Sequence, residues 1–196
     1  GVDVHDDAVH ALMNRFRFVP DARLDDVMVS FATDGGGVGP HFDSYDVFLL
    51  QAHVKRRWRI GRQRNAQLRD DVPLKILAHF EPEQEYLLAP GDMLYLPPGW
   101  AHDGIAEGEC LTYSVGFRVP ERAELGRELL ARLADEGDAT GRVLYRDAGQ
   151  AAVQAPAEVP QALAAFARQA VEHVLAEPLA LERVLGELLT EPKANV

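Results

Sequence analysis

The sequence predicts a mainly β domain, a barrel or double-sheet sandwich, followed by an α-helical region. Three observations carry this. Between 27 and 119, short runs of β-branched, aromatic and aliphatic residues are punctuated by Gly, Pro and Asp, the pattern of several short strands joined by turns. After Pro120 the apolar residues instead recur at helical spacing. The 196 residues with 47% hydrophobic content suit one substantial domain with an appended region.

Taken in order, VMVSFAT (27–33), DVFLLQAH (46–53), KRRWRIG (55–61), EYLLAP (85–90), DMLYLPP (92–98) and CLTYSVGFRV (110–119) are the expected strands. ERAELGRELLARLADEG then puts Leu125, Leu129, Leu130 and Leu133 on one helical stripe, with Gly137 as terminator. A Gly-, Ala- and Pro-rich loop is expected over 138–159. Two further helices follow, one carrying Leu163, Phe166, Ala170, Val171 and Val174, the other Leu181, Val184, Leu185 and Leu188. No ligand or nucleophile cluster falls in this region, so packing or self-association is its expected role.

Composition excludes some functions. A net charge of −11, from 20 Lys+Arg against 31 Asp+Glu, would repel a phosphate backbone and favours a neutral or basic partner, so no direct nucleic-acid binding is expected. No apolar run reaches the roughly 18 residues of a membrane span, and the start lacks a signal pattern. The lone Cys110 makes no internal disulfide and no cysteine zinc site, which fits a reducing cytoplasm. Gly1 stands in place of an initiator Met and the chain opens inside an amphipathic pattern, so a chain shortened at its N-terminus is expected.

The chemistry concentrates in GGGVGPHFDSYD, residues 35–46. On a strand, His41 and Asp43 would share one face and Phe42 the other. APGDMLYLPPGWAH ends a strand at a rigid Pro-Pro-Gly corner that fixes the direction of His102. His41, Asp43 and His102 together match the two-histidine, one-carboxylate facial triad of non-haem Fe(II) oxygenases, whereas zinc more often gathers three histidines or four ligands. The open positions of such a triad accept a bidentate 2-oxo acid and O2. In KRRWRI, Arg56 shares the parity of inward Trp58 and Ile60, while Arg57 and Arg59 take the solvent side. A buried guanidinium needs an anion, and its fork suits the far carboxylate of 2-oxoglutarate. Trp58 and Phe48 are read as packing residues. Asp34, heading the DGGG loop, is either a substrate contact at the mouth of the barrel or a turn initiator.

HFD at 41–43, the basic residue of KRRW, GDMLYLPPGWAH and YSVGFR together resemble the Jumonji-C oxygenases, and GGGVGPHFDSYDVFLLQ with LPPGWAHDG resembles their bacterial ribosomal oxygenase branch. The resemblance covers roughly 15–120. It implies a double-stranded β-helix (a cupin-like jelly roll), dependence on Fe(II), 2-oxoglutarate and O2, and hydroxylation of an arginine of a basic large-subunit ribosomal protein. It also implies homodimerisation through the helices. His41, Asp43 and His102 become iron ligands, Arg56 the 2-oxoglutarate anchor, and Ser30 and Thr112 lining residues of the co-substrate pocket, with Thr112 where the branch is expected to carry an amide. The implied domains are an oxygenase domain over 1–120 and a helical dimerisation region over 121–196, without the winged-helix domain of the branch. Two other readings stay open: a histidyl hydroxylase or demethylase of the same superfamily, and a non-catalytic metal-binding cupin.

Overall fold

The structure, a computed structural model, describes residues 1–136, 143–146, 148–149, 157–176 and 179–191. Gly137 and most of the 138–159 loop lie outside the described residues. The chain divides into two compact units, Gly1–Val119 and Pro120–Pro192.

The first unit begins with helix α1 (Asp7–Asn14), whose N-terminus is capped by the Asp6 carboxylate accepting from the Ala8 and Val9 N–H groups. Six strands follow: β1 (Leu24–Ala32), β2 (His41–Phe42), β3 (Val47–Gly61), β4 (Gln84–Leu88), β5 (Met93–Leu96) and β6 (Ala101–Phe117). Every pairing is antiparallel, in the order β1-β6-β3-β4, with β2 on β6 and β5 on β3. The two long strands organise the rest. β6 pairs β1 through Cys110–Phe117 and β2 through Ala101–His102, and β3 pairs β5 through Val47–Leu50 and β4 through Arg56–Ile60.

Two apolar clusters hold this unit. Val9 and Phe16 pack on Leu24, Val27, Val115 and Phe117, fastening the N-terminal segment to β1 and β6. Val47, Leu49, Trp58, Ile60, Leu88 and Leu96 fill the space within β3, β4 and β5. Each fully buried side chain of this size contributes about 1.5–3 kcal/mol relative to exposure.

Three differences from the sequence reading concern the site. DVFLLQAH and KRRWRIG are one strand, β3, with irregular register between Gln51 and Lys55; no Gly or Pro breaks the run, so the kink is absorbed as a bulge rather than a turn. The last expected strand starts earlier, at Ala101, because Gly104 and Gly108 are tolerated within β6. β2 ends at Phe42, so Asp43 follows the strand instead of lying on it.

The second unit contains helices α2 (Arg122–Glu136), α3 (Gln161–Leu175) and α4 (Ala180–Thr190). Leu133 packs with Ala180 and Val184, supported by Leu129 and Val174. Arg132 forms a bidentate pair with Glu191 at 2.7 Å. Leu130, Leu163, Val171, Leu175 and Leu181 stay exposed. Among the described residues no helix is long and apolar enough to cross a membrane.

Candidate metal centre and co-substrate cavity

A cavity of about 280 Å³ opens within the first unit, lined by residues of β1, β3 and β6 and of the segment 38–45. At one side of it lie His41, Asp43 and His102, each with a ligand atom within 4.8 Å of the others. The pairing that makes this possible is direct: His41 stands opposite His102 in the β2–β6 register, with ring centroids 4.3 Å apart. Asp43 reaches the pair from just beyond β2, its Oδ2 3.8 Å from His102 Nε2, and its carbonyl accepts from the Gly99 N–H of the Pro-Pro-Gly corner.

Each imidazole is oriented by the main chain. His41 Nδ1 lies 2.9 Å from the Gly39 carbonyl, and His102 Nδ1 lies 3.1 Å from the Trp100 carbonyl. With Nδ1–H donating to a carbonyl, the Nε2 lone pair of each ring is free to coordinate, the arrangement that commonly orients metal-ligating histidines. Burial and the neighbouring His41 push the His102 pKa below the ordinary histidine value, so the neutral form, the one that ligates, is favoured. Two imidazoles and one carboxylate, with cavity space beside them, fit a divalent iron that keeps open positions.

Arg56 lies on the same cavity at 4% exposure. Nη1 donates to Ser30 Oγ at 3.1 Å and to Thr112 Oγ1 at 3.2 Å, and Nη2 donates to the Gly104 carbonyl at 3.3 Å. The guanidinium carbon sits 5.0 Å from the centre of the Trp58 ring. All of these partners are neutral, and Arg56 Nε and Trp58 Nε1 have no acceptor among the described residues. Burial lowers the Arg56 pKa. The result is a buried cation supported by dipoles and a π face, with no carboxylate hydrogen-bonded to it and only the more distant charge of Asp103, itself paired with Arg59, acting on it, a site that favours an anionic ligand.

Gly104 is necessary to this stack. A Cβ there would lie 2.6 Å from Trp58 Cζ3 and 2.8 Å from Arg56 Nε. Trp58, read from sequence as packing alone, is both core and cavity wall. Phe48 packs outside the cavity with Phe16, Phe18, Tyr95 and Phe117. Arg57 and Arg59 lie on the other side of β3, Arg57 paired with Glu85 and Glu107, and Arg59 with Asp103.

Ser30 lines the cavity, while Thr112, 1% exposed, supports Arg56 from behind it. Asp34 is not among the lining residues. Its Oδ1 accepts from the Gly108 N–H at 2.7 Å, tying the DGGG loop to β6. The glycines of that loop also face the protein: Gly35 N–H donates to the Ala106 carbonyl, Ala106 N–H donates to the Gly36 carbonyl, and a Cβ on Gly37 would meet the Gly104 carbonyl oxygen at 2.4 Å. The close backbone approach they permit is therefore to β6.

Residues missed in the sequence reading are Asp25, Asp26, Met28 and Tyr45, all lining the cavity. The Tyr45 phenol is pushed up to about 12 by burial and by the charges of Asp43, Asp26 and Asp25, so it remains a neutral donor beside three carboxylates. Asp25 lies 3.4 Å from Arg118. The only sequence signal for them was the acidic pair opening β1, which also reads as solvated strand.

An antiparallel, cupin-like double-stranded β-helix with a two-histidine, one-carboxylate cluster on its cavity defines a metal-site barrel. A model of the JmjC domain matches residues 11–125, more than half of the chain, and the chain belongs to that family. A model of the AraC-like ligand binding domain also matches, over 79–189; it starts beyond His41, Asp43 and Arg56, so the JmjC match describes the site. The chain is 46% identical over 128 residues to the Ribosomal protein uL16 3-hydroxylase of Escherichia coli (strain K12), covering 64% of this chain and 33% of that protein. It is 42% identical over 118 residues to a Probable ribosomal oxygenase of Haemophilus influenzae, covering 58% of this chain and 29% of the relative. The X-ray structure of E. coli ycfD superposes with a TM-score of 0.81 at 33% identity, over 100% of this chain and 52% of that one. E. coli YcfD, a ribosomal oxygenase, in complex with cobalt and 2-oxoglutarate superposes with a TM-score of 0.76 at 33% identity, over 100% of this chain and 51% of that one. The chain thus spans about a third of the length of these curated relatives and about half of the solved structures.

Proposed function

We propose that this chain carries the catalytic site of an Fe(II)- and 2-oxoglutarate-dependent protein hydroxylase that acts on an arginine side chain of a large-subunit ribosomal protein. The observation that carries the reading is the pairing, on one cavity, of the His41, Asp43, His102 cluster with a buried Arg56 whose hydrogen-bond partners are all neutral. A structural metal centre has no use for that cation, which argues against the non-catalytic cupin.

In this reading His41 Nε2, His102 Nε2 and one Asp43 oxygen hold the iron. When bound, iron would supply O2 activation coupled to oxidative decarboxylation of 2-oxoglutarate to succinate and CO2. The chain does the rest. Arg56 binds the far carboxylate by a charge-assisted fork, with Ser30 and Thr112 fixing the guanidinium plane. Buried Trp58 and Leu49 keep water from that end of the cavity. Substrate enters past Asp25, Asp26, Met28 and Tyr45, where a carboxylate can hold a guanidinium while a methylene is directed to the metal. Asp26, which lines the cavity, is the better candidate for this than Asp34, which does not line it and whose Oδ1 is committed to Gly108.

Asp26→Asn is therefore expected to raise the KM for an arginine-containing ribosomal peptide by roughly tenfold, the cost of one charge-assisted hydrogen bond, with little change in 2-oxoglutarate affinity. Asp34→Asn is expected to change it less. Steady-state kinetics at two salt concentrations checks this. A larger effect at Asp34 would restore it as the substrate contact, and an unaltered KM in both variants would remove arginine recognition from this mouth.

The similarity to a ribosomal protein hydroxylase and a probable ribosomal oxygenase supports a ribosomal protein as substrate, and the −11 net charge suits a basic one. A ribosomal substrate in turn supports a cytoplasmic location. The helical unit is read as a homodimerisation surface on the strength of its exposed Leu130, Val171 and Leu175. Sedimentation of Leu130→Glu, expected to shift dimer toward monomer, checks this; a monomeric unaltered protein contradicts it.

A further inference from the structure

We propose that Gln51 is a positioning residue that turns Arg56 into the cavity and sets the polarity of the hydrogen bond that holds it there. The inference rests on the reading of Arg56 as the 2-oxoglutarate anchor and explains how a strand of wrong parity comes to supply it. In β3 the buried positions run Val47, Leu49, Gln51 and then Arg56, Trp58, Ile60. Gln51 and Arg56 are an odd number of residues apart, so on a regular strand they would face opposite sides. The parity switches within the irregular segment between Gln51 and Lys55, where Val54 has φ +51°, a conformation costly for a β-branched residue.

The Gln51 side chain clamps that segment. Fully buried, its Nε2 donates to the His53 carbonyl at 2.9 Å and to the Val54 carbonyl at 3.1 Å. Both amide protons are thereby used on the bulge, and Oε1 is left as an acceptor, which takes the Thr112 hydroxyl proton at 2.9 Å. With its proton committed, Thr112 Oγ1 presents a lone pair to Arg56 Nη1 at 3.2 Å. One neutral carboxamide thus stabilises the bulge that aims Arg56 inward and orients the hydroxyl that receives it. No carboxylate is spent on the guanidinium, whose charge is kept for the ligand.

The test is calorimetric titration of the Co(II)-loaded protein with 2-oxoglutarate and, separately, with oxalate, which chelates a metal but has no far carboxylate to reach Arg56. Gln51→Met removes both functions of the carboxamide, and Gln51→Glu keeps the acceptor but removes the donors. Both are expected to weaken 2-oxoglutarate by about tenfold or more, the scale of a lost hydrogen bond to a charged group, while oxalate affinity stays within about twofold. Equal losses for the two ligands, or no loss for 2-oxoglutarate, would overturn the proposal. Should the Gln51 variants not fold, Thr112→Val against Thr112→Ser carries the same test: serine is expected to retain 2-oxoglutarate binding and valine to lose it, and identical behaviour of the two overturns the relay. Failure of the unaltered protein to bind 2-oxoglutarate more tightly than its Arg56→Ala variant would instead count against the co-substrate reading itself.

Discussion

Replacing His41, Asp43 or His102 singly by alanine is expected to reduce succinate formation below detection. The three ligand atoms lie within 4.8 Å of one another, and no other His, Cys, Asp or Glu among the described residues joins the cluster. No spare donor is at hand to replace a lost one. Asp43→Ala has the further effect of removing the cluster's only formal negative charge, leaving two neutral imidazoles to hold a dication. His102→Ala also removes a ring packed 5.8 Å from Trp58 and opposite His41, so its stability should be followed by thermal unfolding alongside activity. His79→Ala, an exposed histidine outside the cavity, is the control expected to behave as the unaltered protein. Normal turnover with full iron occupancy in any of the three variants would mean that the ligand set is wrong.

Arg56→Ala is expected to leave metal binding nearly intact and to weaken 2-oxoglutarate by about 2–5 kcal/mol, the range for truncating one partner of a buried charge pair. The free protein should lose little stability, because the guanidinium is buried without a carboxylate partner and its removal frees only the Ser30 and Thr112 hydroxyls and the Gly104 carbonyl. Arg57→Ala is expected to have almost no effect on 2-oxoglutarate. Its ion pairs with Glu85 and Glu107 are solvent-exposed, where such contacts contribute about 0–1 kcal/mol. Titration of the metal-loaded variants distinguishes these outcomes, and the reverse pattern would put the anchor on the other face of β3.

Local pattern carried much of this site. The HFD triplet and the corner before His102 were legible because His41 and His102 sit at or next to strand starts, where side-chain direction is set by nearest neighbours. Arg56 was legible from its alternation with Trp58 and Ile60 alone. Its relation to Gln51 was not, because the parity switch at the bulge depends on Val54 adopting φ +51°, for which a valine gives no local signal. Extending the alternation from Val47 and Leu49 across the whole of β3 would have put Arg57 and Arg59 in the cavity.

Long-range pairing was also hidden. The match of His41 to His102 across β2 and β6 brings the two rings of the candidate metal site together, yet they are separated by the length of β3, β4 and β5. The same holds for Asp25 and Asp26, which line the cavity from the irregular step of the β1–β6 pairing between Leu24 and Val27. Asp34 was singled out instead because glycines followed it, and glycines permit any close approach, including the one to Gly104.

The most direct measurement of the central claim is the intact mass of large-subunit ribosomal proteins, and of their proteolytic fragments, after incubation with the Fe(II)-loaded protein, 2-oxoglutarate and O2, with succinate followed in parallel. The expected result is the gain of one oxygen on an arginine of one basic protein, matched by one succinate per hydroxylation and lost in Asp43→Ala. Oxygen on a histidine would contradict the arginine assignment, and bound 2-oxoglutarate with neither succinate nor any mass gain would contradict catalysis altogether.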